Sequence, residues 1–167
     1  MDHLPVDAAE YAGRTATWKA IRTDDALLIG VTCTAGGERQ CAEGESLQIY
    51  VEPTRTQPRR IFHISPDGSA RCQQDDGYIP RENAGWTVAT KVGKREWSAV
   101  LRIPLEWLGM KPGRKPRALR VNIIRQLPIS GAPGGAECSW ARREPAQGRL
   151  VWGDLNPATD FGWLKPQ

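Results

Sequence analysis

The sequence predicts an all-β protein, an antiparallel β-sandwich of immunoglobulin-like or jelly-roll-like type. Its 17 glycines and 13 prolines among 167 residues favour many short strands over long helices. Apolar segments of strand length recur between turn residues from Thr15 onwards, and about nine strands are predicted at spacings that suit a sandwich. No run of about 18 apolar residues occurs, so no membrane span is predicted.

The first two predicted strands form a hairpin. In residues 15–23 the side chains of Ala16, Trp18 and Ala20 alternate with polar ones, as in a half-buried strand. Residues 26–34 form a nearly continuous apolar run, and the acidic pair at 24–25 makes the turn between the two strands. The continuous run predicts that the second strand is central in its sheet.

Three further strands and a loop are predicted before residue 86. Leu47, Ile49 and Val51 alternate with polar residues in segment 45–53 and are predicted to face inward. Residues 59–65 form the next strand, and the turn at 65–69 leads into a strand at 70–74. Residues 75–85 are predicted to be loop.

Residues 96–110 change their period at Pro104. The first half alternates as a strand and pairs with residues 86–92 in a second hairpin. Proline cannot donate to a β-ladder but suits the first position of a helix. Leu105 and Leu108 then share one face of a single turn, and Gly109 permits a left-handed exit. This turn is predicted to plug one end of the sandwich, with Trp107 lying against it or exposed.

The remaining strands are predicted at 118–127, 138–142 and 161–164, and residues 128–137 are predicted to be loop because they are rich in Gly and Pro. Strand tryptophans, Trp18, Trp97 and Trp140, are predicted to belong to the core. A single domain is predicted over residues 1–167, with its core at about 15–164.

Charge and composition exclude several classes of function. The net charge is +4, and two basic clusters lie beside prolines, where solvated loops are expected: Arg55, Arg59 and Arg60, and Arg114, Lys115 and Arg117. No aromatic-rich motif accompanies them, so nucleic acid is not predicted as a partner.

Catalysis and organic cofactors are not predicted either. Two histidines cannot build a triad together with a metal site, and no motif supports a glycosidase-like carboxylate pair. A haem site would need a methionine and a histidine such as Met110 and His63, and this alternative is set aside.

The four cysteines, Cys33, Cys41, Cys72 and Cys138, permit three full pairings. A secreted protein could form one or two disulfides from them, whereas a cytosolic one would keep buried thiols, and the sequence leaves both open. Residues 1–13 lack a basic start and an apolar segment, so either an export signal lies upstream or the protein stays inside the cell, and the sequence leaves both open.

Six short motifs in order resemble the family 9 carbohydrate-binding modules and their family-9-like relatives. They cover the segments 24–31, 45–49, 97–109, 122–125, 139–140 and 161–164. The strand with which such modules begin is not recognisable before Thr15, so the N-terminus is expected to be truncated or divergent. The resemblance implies a non-catalytic module that is accessory to, or part of, a larger exported protein, and hence an extracellular or periplasmic location.

The resemblance also implies a slot that holds a sugar between aromatic rings. Trp152 is the predicted stacking residue, and Gln48, His63, Arg125 and Asn156 are predicted polar contacts, although Arg125 could instead brace loop carbonyls. The alternative is a sandwich that has lost the sugar slot and serves as a scaffold or interaction domain.

Calcium in structural loop sites is implied by the same resemblance. The candidate ligands are two pairs of aspartates, Asp24 and Asp25, and Asp75 and Asp76, which are otherwise ordinary turn residues.

Overall fold

The computed structural model describes residues 15–35, 44–53, 59–74, 77–79, 85–111, 119–127, 136–139 and 162–164. Within these ranges the elements are β1 (Thr15–Arg22), β2 (Ala26–Thr34), β3 (Ser46–Glu52), β4 (Arg60–Ile64), β5 (Ala70–Gln74), β6 (Gly77–Ile79), β7 (Thr87–Val92), β8 (Glu96–Pro104), a 3₁₀ turn (Glu106–Leu108), β9 (Leu119–Leu127), β10 (Ala136–Ser139) and β11 (Gly162–Leu164). The all-β prediction is confirmed.

Two antiparallel sheets form the sandwich. The first has the order β1-β2-β8-β7, so β2 is central, as its apolar run predicts. The second has the order β10-β9-β3-β4-β5-β6, and β11 also pairs with β9. Both predicted hairpins, β1 with β2 and β7 with β8, are therefore present within the first sheet.

The core lies between the inward faces of the two sheets. Leu47, Ile49 and Val51 are fully buried there, as their alternation predicts. Trp97 is also fully buried, and Trp18 packs against the core from a partly buried position. The prediction that these two tryptophans belong to the core is confirmed, whereas Trp140 lies outside the described residues.

An aromatic group of Phe62, Trp86 and Trp107 lies in and against the core. The ring of Phe62 meets Trp86 edge to face at a centroid distance of 5.4 Å, and Trp107 at 6.1 Å. Edge-to-face rings add to the stabilisation that burial gives. Phe62 thereby links the second sheet to the residue before β7 and to the 3₁₀ turn.

The change of period at Pro104 marks the end of β8. Pro104 is the last paired residue of the strand, opposite Ala26, and the amide of Leu105 then donates to the carbonyl of Asp25 at 2.8 Å. Leu105 and Leu108 are buried, and Gly109 leaves the turn at φ 64°, in the left-handed region. The predicted plug is confirmed, and Trp107 lies against the core.

Two loop predictions are wrong. Gly77–Ile79 form β6 against β5, inside the segment expected to be loop, and Ile79 packs against the core. Ala136 and Glu137 begin β10 rather than ending a loop. Three-residue and four-residue strands beside glycines carry too little periodicity to be recognised.

The basic cluster around Arg60 also differs from its prediction as a solvated loop. Arg60 begins β4, is 9% exposed, and its guanidinium carbon lies 4.6 Å from the centroid of the Trp107 ring. Its guanidinium packs on an aromatic ring, which a charge count along the sequence does not show.

Among the described residues, no helix is long and apolar enough to cross a membrane. The single-domain boundaries stay a prediction.

Candidate functional site

The outer face of the second sheet brings two predicted site residues together. Gln48 on β3 and His63 on β4 are directly opposite each other in the antiparallel register. Since Leu47 and Ile49 point into the core, the alternation of β3 turns Gln48 and Tyr50 outward. The same alternation on β4 turns Ile61 and His63 to that face.

The neighbouring strands extend this arrangement on both sides. One row across the sheet reads Ile124, Gln48, His63 and Arg71, and the next row reads Asn122, Tyr50, Ile61 and Gln73. These eight residues, from β9, β3, β4 and β5, are called the outer patch. Each is within one strand spacing, about 4.8 Å, of its partner in the row.

Exposure across the outer patch rises from β9 towards β5. Asn122 and Ile124 are fully buried and Tyr50 is 8% exposed, so this end of the patch is closed to solvent. Gln48, His63 and Gln73 are half-buried, and Arg71 is exposed. The side chains that reach solvent are therefore those of Gln48, His63, Gln73 and Arg71, although Nε2 of His63 is itself buried.

Tyr50 orients the amide of Gln48. The tyrosine hydroxyl donates to Oε1 of Gln48 at 2.7 Å, and the guanidinium carbon of Arg59 lies 5.9 Å from the centroid of the tyrosine ring. Because the oxygen of the Gln48 amide accepts from Tyr50, the amide nitrogen remains as a hydrogen-bond donor.

His63 is held in its neutral form at pH 7. Burial lowers its pKa below the usual 6.5, the positive charge of Arg71 acts in the same direction, and a hydrogen bond with Gln73 opposes both. A neutral imidazole has one donor nitrogen and one acceptor nitrogen. The polar groups of the patch thus include both hydrogen-bond donors and acceptors.

The lowered pKa of His63 predicts a pH dependence of stability. Because the unfolded chain takes up a proton near pH 6.5 and the folded chain only at lower pH, the free energy of unfolding should decrease as pH falls from about 7 to 5. Urea unfolding at several pH values, compared between the wild type and His63→Gln, measures the effect. We expect a shallower decline in the variant, and equal slopes would contradict the prediction.

Arg125 lies on the opposite face of β9 and does not join the outer patch. It is 1% exposed, and it donates from Nη2 to Oε2 of Glu45 and from Nη1 to the carbonyl of Thr34, both at 2.8 Å. Trp97 Nε1 donates to the same carboxylate oxygen at 2.9 Å. Arg125 thus joins the two sheets and braces a carbonyl at the end of β2. Bracing of a carbonyl is the role that was predicted for it as the alternative to sugar contact.

Six of the eight patch residues are not among the predicted site residues, and three of these contact or flank Gln48 and His63: Tyr50, Arg71 and Gln73. Tyr50 follows Gln48 by two positions, so strand alternation alone places both on one face. Arg71 and Gln73 have the same spacing on β5, but their closeness to His63 depends on the register, which no sequence motif records. Trp152, Asn156, Asp75 and Asp76 lie outside the described residues.

The acidic turn at Asp24 and Asp25 contains an ion pair in this structure. The carboxylate of Asp25 accepts from the Thr23 hydroxyl at 2.8 Å and forms an ion pair with Arg102. The hydroxyl bond first, and then the guanidinium charge, lowers the pKa of Asp25. A guanidinium in contact competes with a cation, and no group of three His, Cys, Asp or Glu in the described part of the chain could hold a metal. Calcium binding by Asp24 and Asp25, or by Asp75 and Asp76, stays a prediction.

The described cysteine side chains lie in the core. Cys33 and Cys72 are both buried, and burial raises the pKa of the Cys72 thiol to about 12. Such a thiol is protonated at pH 7 and is a poor nucleophile. The side chains of Cys41 and Cys138 are outside the described set, so the disulfide pairing stays open.

No protein-family model and no curated protein matches the chain, but its fold is found among solved structures. A candidate carbohydrate-binding protein from Bacteroides uniformis superposes with a TM-score of 0.67 at 14% identity, over 97% of this chain and 82% of that one. A family 9 carbohydrate-binding module from Caldicellulosiruptor kristjanssonii, in complex with glucose, gives a TM-score of 0.54 at 14% identity, over 92% and 77% of the two chains.

At this identity the similarity concerns the fold. The sequence motifs and the superpositions agree on one architecture, two packed antiparallel sheets. The chain therefore has the β-sandwich fold of the family 9 carbohydrate-binding modules.

Proposed function

We propose that the chain is a non-catalytic carbohydrate-binding module that takes a saccharide at the accessible end of the outer patch. The observation that carries this proposal is the convergence of Gln48, His63, Arg71 and Gln73 on three adjacent strands. Amides, neutral imidazole and guanidinium are groups that bond sugar hydroxyls. The fold supports the proposal, since one solved protein with it holds glucose.

A pyranose ring also needs an aromatic face for stacking. Tyr50 is too buried to offer one, with 8% of its surface exposed, and its ring already contacts Arg59. Trp152 is therefore proposed as the stacking ring and Asn156 as a further polar contact, as the family resemblance implies. The module would be accessory to, or part of, a larger protein exported to the periplasm or the exterior.

Calorimetric titration with glucose and cello-oligosaccharides, preceded by a glycan array, tests the proposal. One hydrogen bond to a neutral group is worth about 0.5–1.5 kcal/mol, so His63→Ala and Gln48→Ala should each weaken binding about twofold to tenfold. Trp152→Ala should weaken it about tenfold or more, because a whole stacking surface is removed.

The matched control is Ser98→Ala on the outward face of the first sheet, away from the outer patch. It should bind saccharides like the wild type. Absence of binding to every saccharide, or unchanged affinity in both His63→Ala and Gln48→Ala, would refute the proposal.

A scaffold or interaction domain is the second candidate function. The observation that favours it is on the first sheet, where Ile21 is 62% exposed and Val100 is 47% exposed on the outward face. Apolar side chains at such positions suit contact with another domain. A folded protein without saccharide binding would support this candidate over the first.

A further inference from the structure

The hydrogen bond between Tyr50 and Gln48 gives the Gln48 amide a fixed direction. A tyrosine hydroxyl has a single proton, and that of Tyr50 is donated to Oε1 of Gln48 at 2.7 Å. The oxygen and nitrogen of a planar amide lie on opposite sides of its carbon, so Nε2 is on the side away from the Tyr50 hydroxyl. In the described part of the chain Nε2 has no hydrogen-bond partner, and it keeps contact with solvent. It is therefore a donor that a ligand can reach.

The preceding outward residue on β3, Ser46, has the opposite polarity. Its hydroxyl donates its single proton to Oε1 of Gln126, its cross-strand partner on β9, at 2.9 Å. The oxygen of Ser46 therefore keeps lone pairs as an acceptor but has no further proton to give. Ser46 and Gln48 are both half-buried and point to the same face of the sheet, so this acceptor lies next to the outer patch.

A donor and an acceptor thus lie next to each other along β3. Residues two apart on an antiparallel strand are separated by about 7 Å, and the Gln48 side chain is long enough to shorten the gap to Ser46. A hydroxyl group can accept one hydrogen bond and donate another, each over about 2.8 Å, so one hydroxyl oxygen can join the two side chains. A carboxylate cannot, because it has no proton to donate to Ser46.

We propose that Ser46 and Gln48 together bind one hydroxyl group of the saccharide, which accepts from Nε2 of Gln48 and donates to Oγ of Ser46. This inference rests on the proposed function and adds Ser46 to the residues that contact the ligand. Tyr50 and Gln126 are then positioning residues, because they set the directions of the two contacts. The ligand hydroxyl completes a chain in which every hydrogen bond runs from Tyr50 towards Gln126, and bonds aligned in this way strengthen one another.

The test uses glucose, or the monosaccharide unit that the glycan array identifies, together with each of its monodeoxy derivatives. Calorimetric titration of the wild type should find one position at which loss of the hydroxyl weakens binding about fivefold or more, because two hydrogen bonds are lost. Ser46→Ala and Gln48→Leu should each weaken binding of the parent sugar about twofold to tenfold, as expected for one bond. In both variants the additional cost of the deoxy sugar should shrink at that same position, because one of its two bonds is already absent.

Tyr50→Phe tests the positioning role. It removes the hydroxyl and keeps the ring, and it should weaken binding about twofold to fivefold in the wild type, because the Gln48 amide is no longer held in one orientation. In the Gln48→Leu background the same change should alter binding by less than twofold. A purely structural effect of Tyr50 would weaken binding equally in both backgrounds.

Two further variants guard against effects on folding. Ser46→Thr keeps the hydroxyl on a residue that suits a strand, and it should bind the parent sugar within twofold of the wild type. Ser98→Ala makes the same chemical change as Ser46→Ala on the outward face of the first sheet, and it should not alter the cost of any deoxy sugar. Thermal unfolding of each variant shows that the protein measured is folded.

The outcomes separate this inference from the function on which it rests. If saccharides bind but Ser46→Ala leaves every deoxy cost unchanged, or if Ser46→Ala and Gln48→Leu affect different positions of the sugar, the shared hydroxyl is wrong and the module still binds saccharides. If no saccharide binds, both proposals fail.

Discussion

Replacement of Glu45 by alanine is expected to lower the free energy of unfolding by about 3–5 kcal/mol, because it leaves a guanidinium buried without its carboxylate. The side chains of Glu45 and Arg125 are each 1% exposed, and Oε2 of Glu45 accepts from both Arg125 and Trp97. Urea unfolding followed by circular dichroism measures the change. An unaltered m-value would show that the wild type and the variant expose the same surface on unfolding, so that their free energies of unfolding can be compared.

Two variants sharpen this experiment. Glu52→Ala breaks the pair with Arg120, whose side chain is 15% exposed, and should cost less than Glu45→Ala, about 1–2 kcal/mol, because the remaining charge keeps some contact with water. The double variant Glu45→Leu with Arg125→Met removes both buried charges and should recover much of the lost stability. A loss in Glu45→Ala no greater than in Glu52→Ala would show that the pair is not the buried link described above.

Phe62→Ala is expected to cost about 3–5 kcal/mol, because a fully buried aromatic side chain is removed and its neighbours relax only in part. The cavity would open beside Trp86 and Trp107, whose rings both contact Phe62. Tryptophan fluorescence should therefore change in the folded state as well as during unfolding. Chemical denaturation gives the change in the free energy of unfolding. The fluorescence of the folded protein reports the changed surroundings of Trp86 and Trp107.

Val100→Ala is the control for Phe62→Ala. Val100 lies in the central part of β8 but is 47% exposed on the outward face, so its truncation should change stability by less than about 0.5 kcal/mol. Equal losses in the free energy of unfolding of the two variants would contradict the placement of Phe62 in the core and of Val100 outside it.

The fold could be predicted from the sequence where local patterns coincide with local structure. Alternation correctly predicted the inward residues of β3, and Pro104 with Gly109 marked the end of β8 and the 3₁₀ turn. The patterns failed where an element is too short to show a period, as in β6, or where packing overrides polarity, as in Arg60 over Trp107.

The candidate site could be predicted only in part, because its residues meet through strand register. Gln48 and His63 were identified by family resemblance, and their cross-strand pairing follows from β3 and β4 being neighbours. Arg71 and Arg125 show the limit. Both are strand arginines, but the turn between β4 and β5 places one beside His63, whereas the other faces the opposite side of its strand, towards Glu45.

The order of strands in the two sheets has a consequence for how the chain folds. Ile29 pairs with Leu101 in one sheet and Ile49 with Ile123 in the other, so each sheet is completed at its centre by partners about 70 residues apart, which is typical of slowly folding β topologies. During synthesis, β3 would lack β9 on one side until residues near 127 had left the ribosome. Until then its row of backbone donors and acceptors is open to pairing with other chains.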